Sequence, residues 1–238
     1  MKIVGVIPAR YASSRFPGKP LIDLKGKSMI QRVVEGAKKS TKLAEVVVAT
    51  DDQRIYDHVL SFGGKCFMTS ESHPSGTDRC GEVAKQLDAD VIINVQGDEP
   101  LIDARQLDAL CEAFEDGSVS IATLAIPDND LSELKNPNRI KLIRALNGDA
   151  LYFSRSVIPN AERANKPAAY LRHIGVYAYR SRTLQQLIQL EPSELEKTES
   201  LEQLRWLENG HKIRVVLTDI ETPNIDTPED VQSVLNLL

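Results

Sequence analysis

Cysteine is scarce in this 238-residue chain, and the three present, Cys66, Cys80 and Cys111, are odd in number and widely separated. No C-x-x-C occurs, and the four histidines, His58, His73, His173 and His211, form neither an H-x-H nor an H-x-x-x-H pair. A structural zinc and a disulfide framework are thereby set aside, and the thiols read as buried and reduced in a cytoplasmic protein. Long apolar runs are missing too. None approaches the ~18 residues of a membrane span, and no signal peptide is seen, so no membrane partner is expected. Excess positive charge is also absent. With 34 acidic against 29 basic side chains the net charge is -5, which gives no support for sequence-independent nucleic-acid binding. Finally, two glycine fingerprints fail. Gly5 and Gly18 are far apart with arginines between them, which is not G-x-G-x-x-G, and Gly26-Lys27-Ser28 lacks the earlier P-loop glycine, whose place falls on Leu21. An NAD-dependent oxidoreductase is excluded chiefly by the first of these.

What is present suffices for one large α/β domain: 42% of the residues are apolar. Strand-like runs at Ile3 to Ile7, Val46 to Ala49, Cys66 to Met68 and Val91 to Val95 alternate with helical patterns. The helices are expected from Ser28 through Ala37 and over Asp52 to Phe62, Thr77 to Leu87 and Asp103 to Phe114. This β-α-β-α series predicts a mostly parallel sheet flanked by helices, with right-handed crossovers. The pattern changes after a strand at Val119 to Ile126. Runs at Lys141 to Ala145 and Ala150 to Phe153 flank Asn147-Gly148, a hairpin signal, and Leu171 to Tyr179 is strand-like again. Residues from about 127 to 180 therefore read as an antiparallel excursion covering the sheet edge. Helices at Ser181 to Leu190 and Glu196 to Asn209, a strand at Ile213 to Leu217 and a last helix at Thr227 to Leu237 complete the chain. Thr227 is the expected N-cap of that helix, with Pro228 in its first turn.

The stretch IPARYASSRFPGKPL, Ile7 to Leu21, follows the first strand and carries Arg10, Arg15 and Lys19 with Ser13 and Ser14. Three cations, two hydroxyls and Gly18 at a strand mouth suit a polyphosphate; a solvated basic loop is the alternative. NVQGDEP, Asn94 to Pro100, puts Asp98 and Glu99 at a strand's C-terminal end, as Mg²⁺ ligands or as a turn capping the next helix. IDTPED, ending at Asp230, reads by itself as an acidic first turn. HPSGTDR, His73 to Arg79, places an arginine in a helix's first turn against the dipole, which points to a polar or anionic occupant. LYFSR (Leu151 to Arg155), RHIGVY (Arg172 to Tyr177) and ESLEQLR (Glu199 to Arg205) supply side chains apt for a carboxylated, polyhydroxylated ligand.

Taken in order, these seven stretches closely resemble the 3-deoxy-manno-octulosonate (Kdo) cytidylyltransferase, or CMP-Kdo synthetase, family over the whole chain. The resemblance implies a Rossmann-like nucleotidyltransferase domain with a smaller dimerising lobe, and a Mg²⁺-dependent reaction of CTP with Kdo to CMP-Kdo and pyrophosphate for lipopolysaccharide synthesis. It implies a triphosphate site at Arg10, Ser14, Arg15 and Lys19. Nucleotide contacts from Pro8, Ala9, Ser75, Gly76, Thr77, Arg79 and Gln96 are implied as well. Asp98 and Asp226 match the family's magnesium carboxylates, which makes Arg10, Lys19, Asp98 and Asp226 the expected catalytic set. Arg155, His173, Tyr177, Glu202 and Gln203 match its sugar-binding positions, and a homodimer is expected. One departure stands out: the glycine-containing turn the family usually has before its last aspartate is here TPNID, Thr222 to Asp226, where Asn224 could supply the positive φ of a glycine. The rivals are a cytidylyltransferase for 8-amino-Kdo or sialic acid, and a non-catalytic nucleotide-binding sensor.

Overall fold

Strand β1 (Ile3–Ala9) is buried on both faces, as the unbroken apolar run at its start requires of a parallel central strand. The structure, a computed structural model, describes residues 1–12, 16–130, 132–163 and 169–238. After β1 come a 3₁₀ turn (Lys19–Leu21) and a short hairpin, β2 (Asp23–Leu24) with β3 (Lys27–Ser28). Helix α1 (Met29–Ala37) begins where Ser28 caps it, its side chain accepting from the Gln31 N–H. Then follow β4 (Glu45–Thr50), α2 (Gln53–Ser61) capped by Asp52, β5 (Lys65–Met68), α3 (Gly76–Ala84) capped by Ser75, β6 (Val91–Asn94) and α4 (Ala104–Ala113) capped by Asp103. The expected α/β series is thus present, with ends moved by a few residues.

Strands β7 (Ile121–Asp128), β8 (Lys141–Arg144), β9 (Ala150–Ser154), β10 (Tyr170–Arg180) and β11 (Arg214–Leu217) complete the sheet. Its main path runs β11-β7-β10-β6-β1-β4-β5; β10 is antiparallel to both neighbours, and the other four pairings are parallel. Strand β10 has two settings. Its first part pairs with β8, which pairs with β9, while Tyr177 to Arg180 sit inside the central sheet against β6. The register slips between Ile174 and Tyr177, so the strand bends where it passes β6's C-terminal end.

Two expected helices differ. Glu196 to Asn209 is two helices, α6 (Glu194–Glu199) and α7 (Gln203–Glu208), because Ser200 turns into the left-handed region at φ 53°. The first starts earlier than expected, at a capping box in which Ser193 and Glu196 bond reciprocally. The last helix, α8 (Asp230–Leu235), starts three residues later than expected, and Thr227 does not cap it. Instead the Asp230 carboxylate accepts from the Asp226 and Thr227 N–H groups, at 2.9 and 2.8 Å. A short α5 (Ser181–Leu187) follows β10.

Apolar side chains alternate across β1. Ile3 and Ile7 pack on one face with residues of α1, α2 and α4, Val4 and Val6 on the other with residues of α3, α5 and α7. A third, small cluster joins Leu24, Met29, Ile225 and Val234, and so fastens the chain's last loop beside the hairpin. Among the described residues no helix is long and apolar enough to cross a membrane.

Candidate active site

Parallel strands β1, β4 and β6 end at one edge of the sheet, where their following loops open into two clefts. The first, about 520 Å³, is lined by Pro8, Ala9 and Arg10 after β1, by Lys19, by Gly76 and Arg79 of α3, and by Gln96 to Asp98 after β6. The second, about 640 Å³, lies between the loops after β6, before β8 and after β11, with His173 to Gly175 of β10 in its wall. Gln96 and Asp98 line both. The clefts therefore meet at one glutamine and one carboxylate.

Lys19 stands at that junction, only 14% exposed. Its ammonium donates to Asp98 Oδ2 at 3.0 Å and to the Ile225 carbonyl at 2.8 Å, and lies 3.9 Å from Asp226 Oδ1. The Ile225 N–H in turn donates to the Asp98 carbonyl at 2.9 Å, binding the two acidic loops by their backbones. Asp226 is held further by the Asn224 amide, which donates to its Oδ2 at 2.9 Å. Asn224 does not take positive φ; among the described residues only Lys25 and Ser200 do so without being glycine. The TPNID turn thus uses the asparagine's side chain rather than the backbone freedom of a glycine. Two hard carboxylates converging on the Lys19 ammonium are a donor set that fits a divalent metal. Among the described residues no cluster of three or more acidic, histidine or cysteine side chains offers an all-protein cage.

The floor of the first cleft depends on close backbone approach. A Cβ on Gly97 would stand 2.7 Å from the Pro8 carbonyl oxygen, and one on Gly76 would stand 3.2 Å from Pro8 Cγ. Gln96 donates from Nε2 to the Gly175 carbonyl at 2.6 Å, tying this floor to the irregular stretch of β10. The unfavourable placement of Arg79 at the start of α3 has an internal answer: its guanidinium is buried against Asp51, at 2.6 Å, and Thr69, while its edge still lines the cleft. Ser14 and Arg15 lie outside the described residues.

Ser75 and Thr77 turn away from this cleft lining and engage Glu202. Ser75 Oγ lies 3.0 Å from Glu202 Oε1, and Thr77 Oγ1 donates to Oε2 at 2.7 Å. Burial raises the Glu202 carboxyl's pKa, and those two hydroxyls oppose the rise. Tyr177, opposite Asn94 in register, stacks with Tyr179 at 6.0 Å, and both stand edge-on to Trp206 of α7. On this side of the sheet Asn94 Oδ1 and Gln203 Nε2 are buried with no hydrogen-bond partner, an arrangement that asks for a polar occupant. His173 alone of the five expected sugar contacts lines a described cleft. Its Nε2 is 3.0 Å from Thr123 Oγ1, and burial pushes its pKa down to about 3. Arg155 is spent on backbone, donating to the carbonyls of Glu199 at 2.7 Å, Pro137 at 2.9 Å and Ser200 at 3.3 Å. It thereby holds the segment whose Asn136 and Asn138 line the second cleft.

Asn136, Asn138, Arg139, Glu221 and Thr222, to which the sequence gives no role, line the second cleft beside Glu99, expected as a Mg²⁺ ligand or turn residue, and Arg172, expected among the side chains apt for a carboxylated ligand. Burial pushes the Glu99 carboxyl up to about 7; the Asp98 charge adds to the rise and a 2.9 Å hydrogen bond from Thr222 opposes it. Asn136-Pro137-Asn138 is a turn signal just before a strand, and could have marked this edge.

A family model described as cytidylyltransferase matches residues 4–213. A protein of Parabacteroides distasonis named 3-deoxy-manno-octulosonate cytidylyltransferase is 51% identical, over 100% of this chain and 98% of its own length. One of the same name from Nitratidesulfovibrio vulgaris is 50% identical over 98% and 95%. Among solved structures, CMP:2-keto-3-deoxy-manno-octonic acid synthetase complexed with CTP superposes with a TM-score of 0.95 at 47% identity, covering 100% of this chain and 98% of that one.

Proposed function

The chain belongs to the 3-deoxy-manno-octulosonate cytidylyltransferase family, and we propose that it transfers the cytidylyl group of CTP to Kdo, releasing pyrophosphate and supplying an activated sugar for lipopolysaccharide. The observation that carries this reading is the junction at Asp98. Two clefts, each large enough for one substrate, share a wall there, as a reaction between two bound substrates requires.

CTP takes the cleft after β1. Arg10 and Lys19, with Ser14 and Arg15, meet the triphosphate, and Pro8, Ala9, Gln96 and the start of α3 meet the nucleoside. Kdo takes the second cleft and the polar side of the sheet beside it, where Arg155, His173, Tyr177, Glu202 and Gln203 shape its surroundings. The sugar's anomeric oxygen attacks the α-phosphorus in line, and the bond to the bridging oxygen of the departing pyrophosphate breaks. Positioning and neutralisation of phosphate charge supply the catalysis, and no covalent enzyme intermediate is needed. Asp98 and Asp226 would hold Mg²⁺, which when bound neutralises phosphate charge and orients the nucleotide. The reading extends to a cytoplasmic homodimer with residues 127–180 as the dimerising lobe. The exposed Leu146 and Leu151 of the β8–β9 hairpin support that part.

A coupled pyrophosphate-release assay with CTP and Mg²⁺, run against Kdo, 8-amino-Kdo and sialic acid, tests the reading. Turnover is expected with Kdo in preference to the others. CTP binding without turnover on any acid sugar would make the protein a nucleotide sensor instead.

A further inference from the structure

The chain that carries the first cleft's cations closes on itself between Tyr11 and Gly18. The Gly18 N–H donates to the Tyr11 carbonyl at 2.9 Å. Arg10 and Lys19 flank this bonded pair directly, one on each side in the chain, and both line the cleft. Gly18 takes the left-handed conformation at φ 74°, and a Cβ there would stand 3.2 Å from Tyr11 Cζ. Backbone and ring therefore meet closely at the closure.

The Tyr11 ring has a second partner, from a different element. Strands β1 and β4 pair through Ala9 and Thr50, so the chains beyond them leave the sheet side by side. Arg54 Cζ lies 3.3 Å from the centroid of the Tyr11 ring. This arginine is the second residue of α2, where the helix dipole disfavours a cation. Asp52, the N-cap, offsets that cost: its carboxylate accepts from Arg54 Nε at 3.0 Å and from Nη2 at 2.6 Å. The fork fixes the guanidinium plane, although 60% of the side chain is exposed. With its charge matched by Asp52, what Arg54 offers the loop is a flat cationic face on an aromatic ring.

We propose that Arg54 is a positioning residue for the nucleotide: stacked on Tyr11, it holds the loop closure from which Arg10 and Lys19 reach the first cleft. This rests on the reading of that cleft as the CTP site. The Lys19 ammonium is held by Asp98 and the Ile225 carbonyl, and the Tyr11–Gly18 closure holds the backbone end of the same residue. A triphosphate that meets cations already in place does not have to order them as it binds.

The test is calorimetric titration of CTP with Mg²⁺ into the full chain, comparing wild type with Arg54→Ala, Tyr11→Leu, the double variant and Tyr11→Phe. Each of the first two should weaken CTP binding roughly two- to five-fold, the worth of an exposed cation–π contact. The double variant should lose no more than the worse single, since one stack is lost either way. Tyr11→Phe keeps the ring face and should bind within about twofold of wild type. In Arg54→Ala the sugar KM and the thermal midpoint should stay put. If Arg54 met the phosphates itself, its removal would weaken CTP as much in the Tyr11→Leu background as in wild type. If it only braced the fold, the thermal midpoint would fall while CTP affinity held. Either result overturns the proposal, as does a loss in Tyr11→Phe equal to that in Tyr11→Leu. Should Tyr11→Leu not fold, Arg54→Lys decides: without the flat face it should bind as Arg54→Ala does, and rescue by charge alone would overturn the proposal. A wild-type protein that binds no CTP defeats the reading of the cleft, an outcome distinct from unchanged affinity in Arg54→Ala.

Discussion

Lys19 neutralises both carboxylates at the junction in the free protein, and on the proposed reading it meets phosphate charge when CTP arrives. Its removal leaves charge that grows in the transition state without a preorganised cation. Lys19→Ala is expected to lower kcat about 10²–10³-fold, roughly 3–4 kcal/mol, by analogy with removing one oxyanion donor. Activity within a few-fold of wild type takes the triphosphate away from this loop. His173 makes a different kind of claim. Its imidazole stays neutral in the fold down to about pH 3, whereas in the unfolded chain it protonates near 6.5. The unfolded state binds the extra proton between those values, so stability is complete above about pH 6.5 and declines as pH falls towards 3. His173→Gln should accordingly lose less thermal stability than wild type between about pH 7 and pH 4. Equal losses would mean that the ring is hydrated in solution. Neither environment was legible in sequence: Lys19 reads as a loop cation, and nothing local to RHIGVY shows that β8, β9 and Thr123 enclose the histidine.

At the scale of elements, the sequence shows most of the sheet because buried parallel strands are short apolar runs between helices; Ser28, Asp52 and Asp103 cap α1, α2 and α4 where those helices are expected to begin, and Ser75 caps α3 two residues before its expected start. It misses where long-range contacts decide. Helix periodicity runs on through Ser200, yet Glu199 there accepts from Ser154 and the Arg155 N–H, which draws the chain against β9 and splits the helix. Asp230 likewise turns its carboxylate back on Thr227 and delays α8. The first cleft adds a requirement that no periodicity could show, the approach of the β6 loop to the Pro8 carbonyl. Gly97→Ala puts a methyl 2.7 Å from that oxygen, so the floor must shift. The expected result is CTP affinity weakened about tenfold or more by titration calorimetry, since backbone shifts from overpacking cost about 1–3 kcal/mol. Unchanged affinity would show that the floor does not contact the nucleotide.

Across the whole molecule, the site depends on bringing Asp98 and Asp226 together from distant parts of the chain. The first rides on the end of β6, near the middle of the sheet. The second follows β11 at the sheet's edge, and reaches back because Ile225 is buried with Leu24, Met29 and Val234 and its N–H bonds the Asp98 carbonyl. The chain order of the motifs predicts the pairing only through the family resemblance; no spacing rule joins residues so far apart. One carboxylate gives Mg²⁺ a weak hold, whereas two, with phosphate oxygens and water, make an octahedral shell. Asp226→Asn removes one charge and leaves the side chain's shape, and Ile225 and the Asp226 N–H still anchor the loop. The fold should survive with its thermal midpoint little changed. Mg²⁺-dependent turnover should nearly vanish, with at most partial recovery at high metal concentration, because the substitution weakens the hold on the ion. CTP titrated without metal should bind as in wild type. A variant that keeps wild-type turnover at low Mg²⁺ would remove Asp226 from the metal site, and with it the reason for the last loop to cross the molecule.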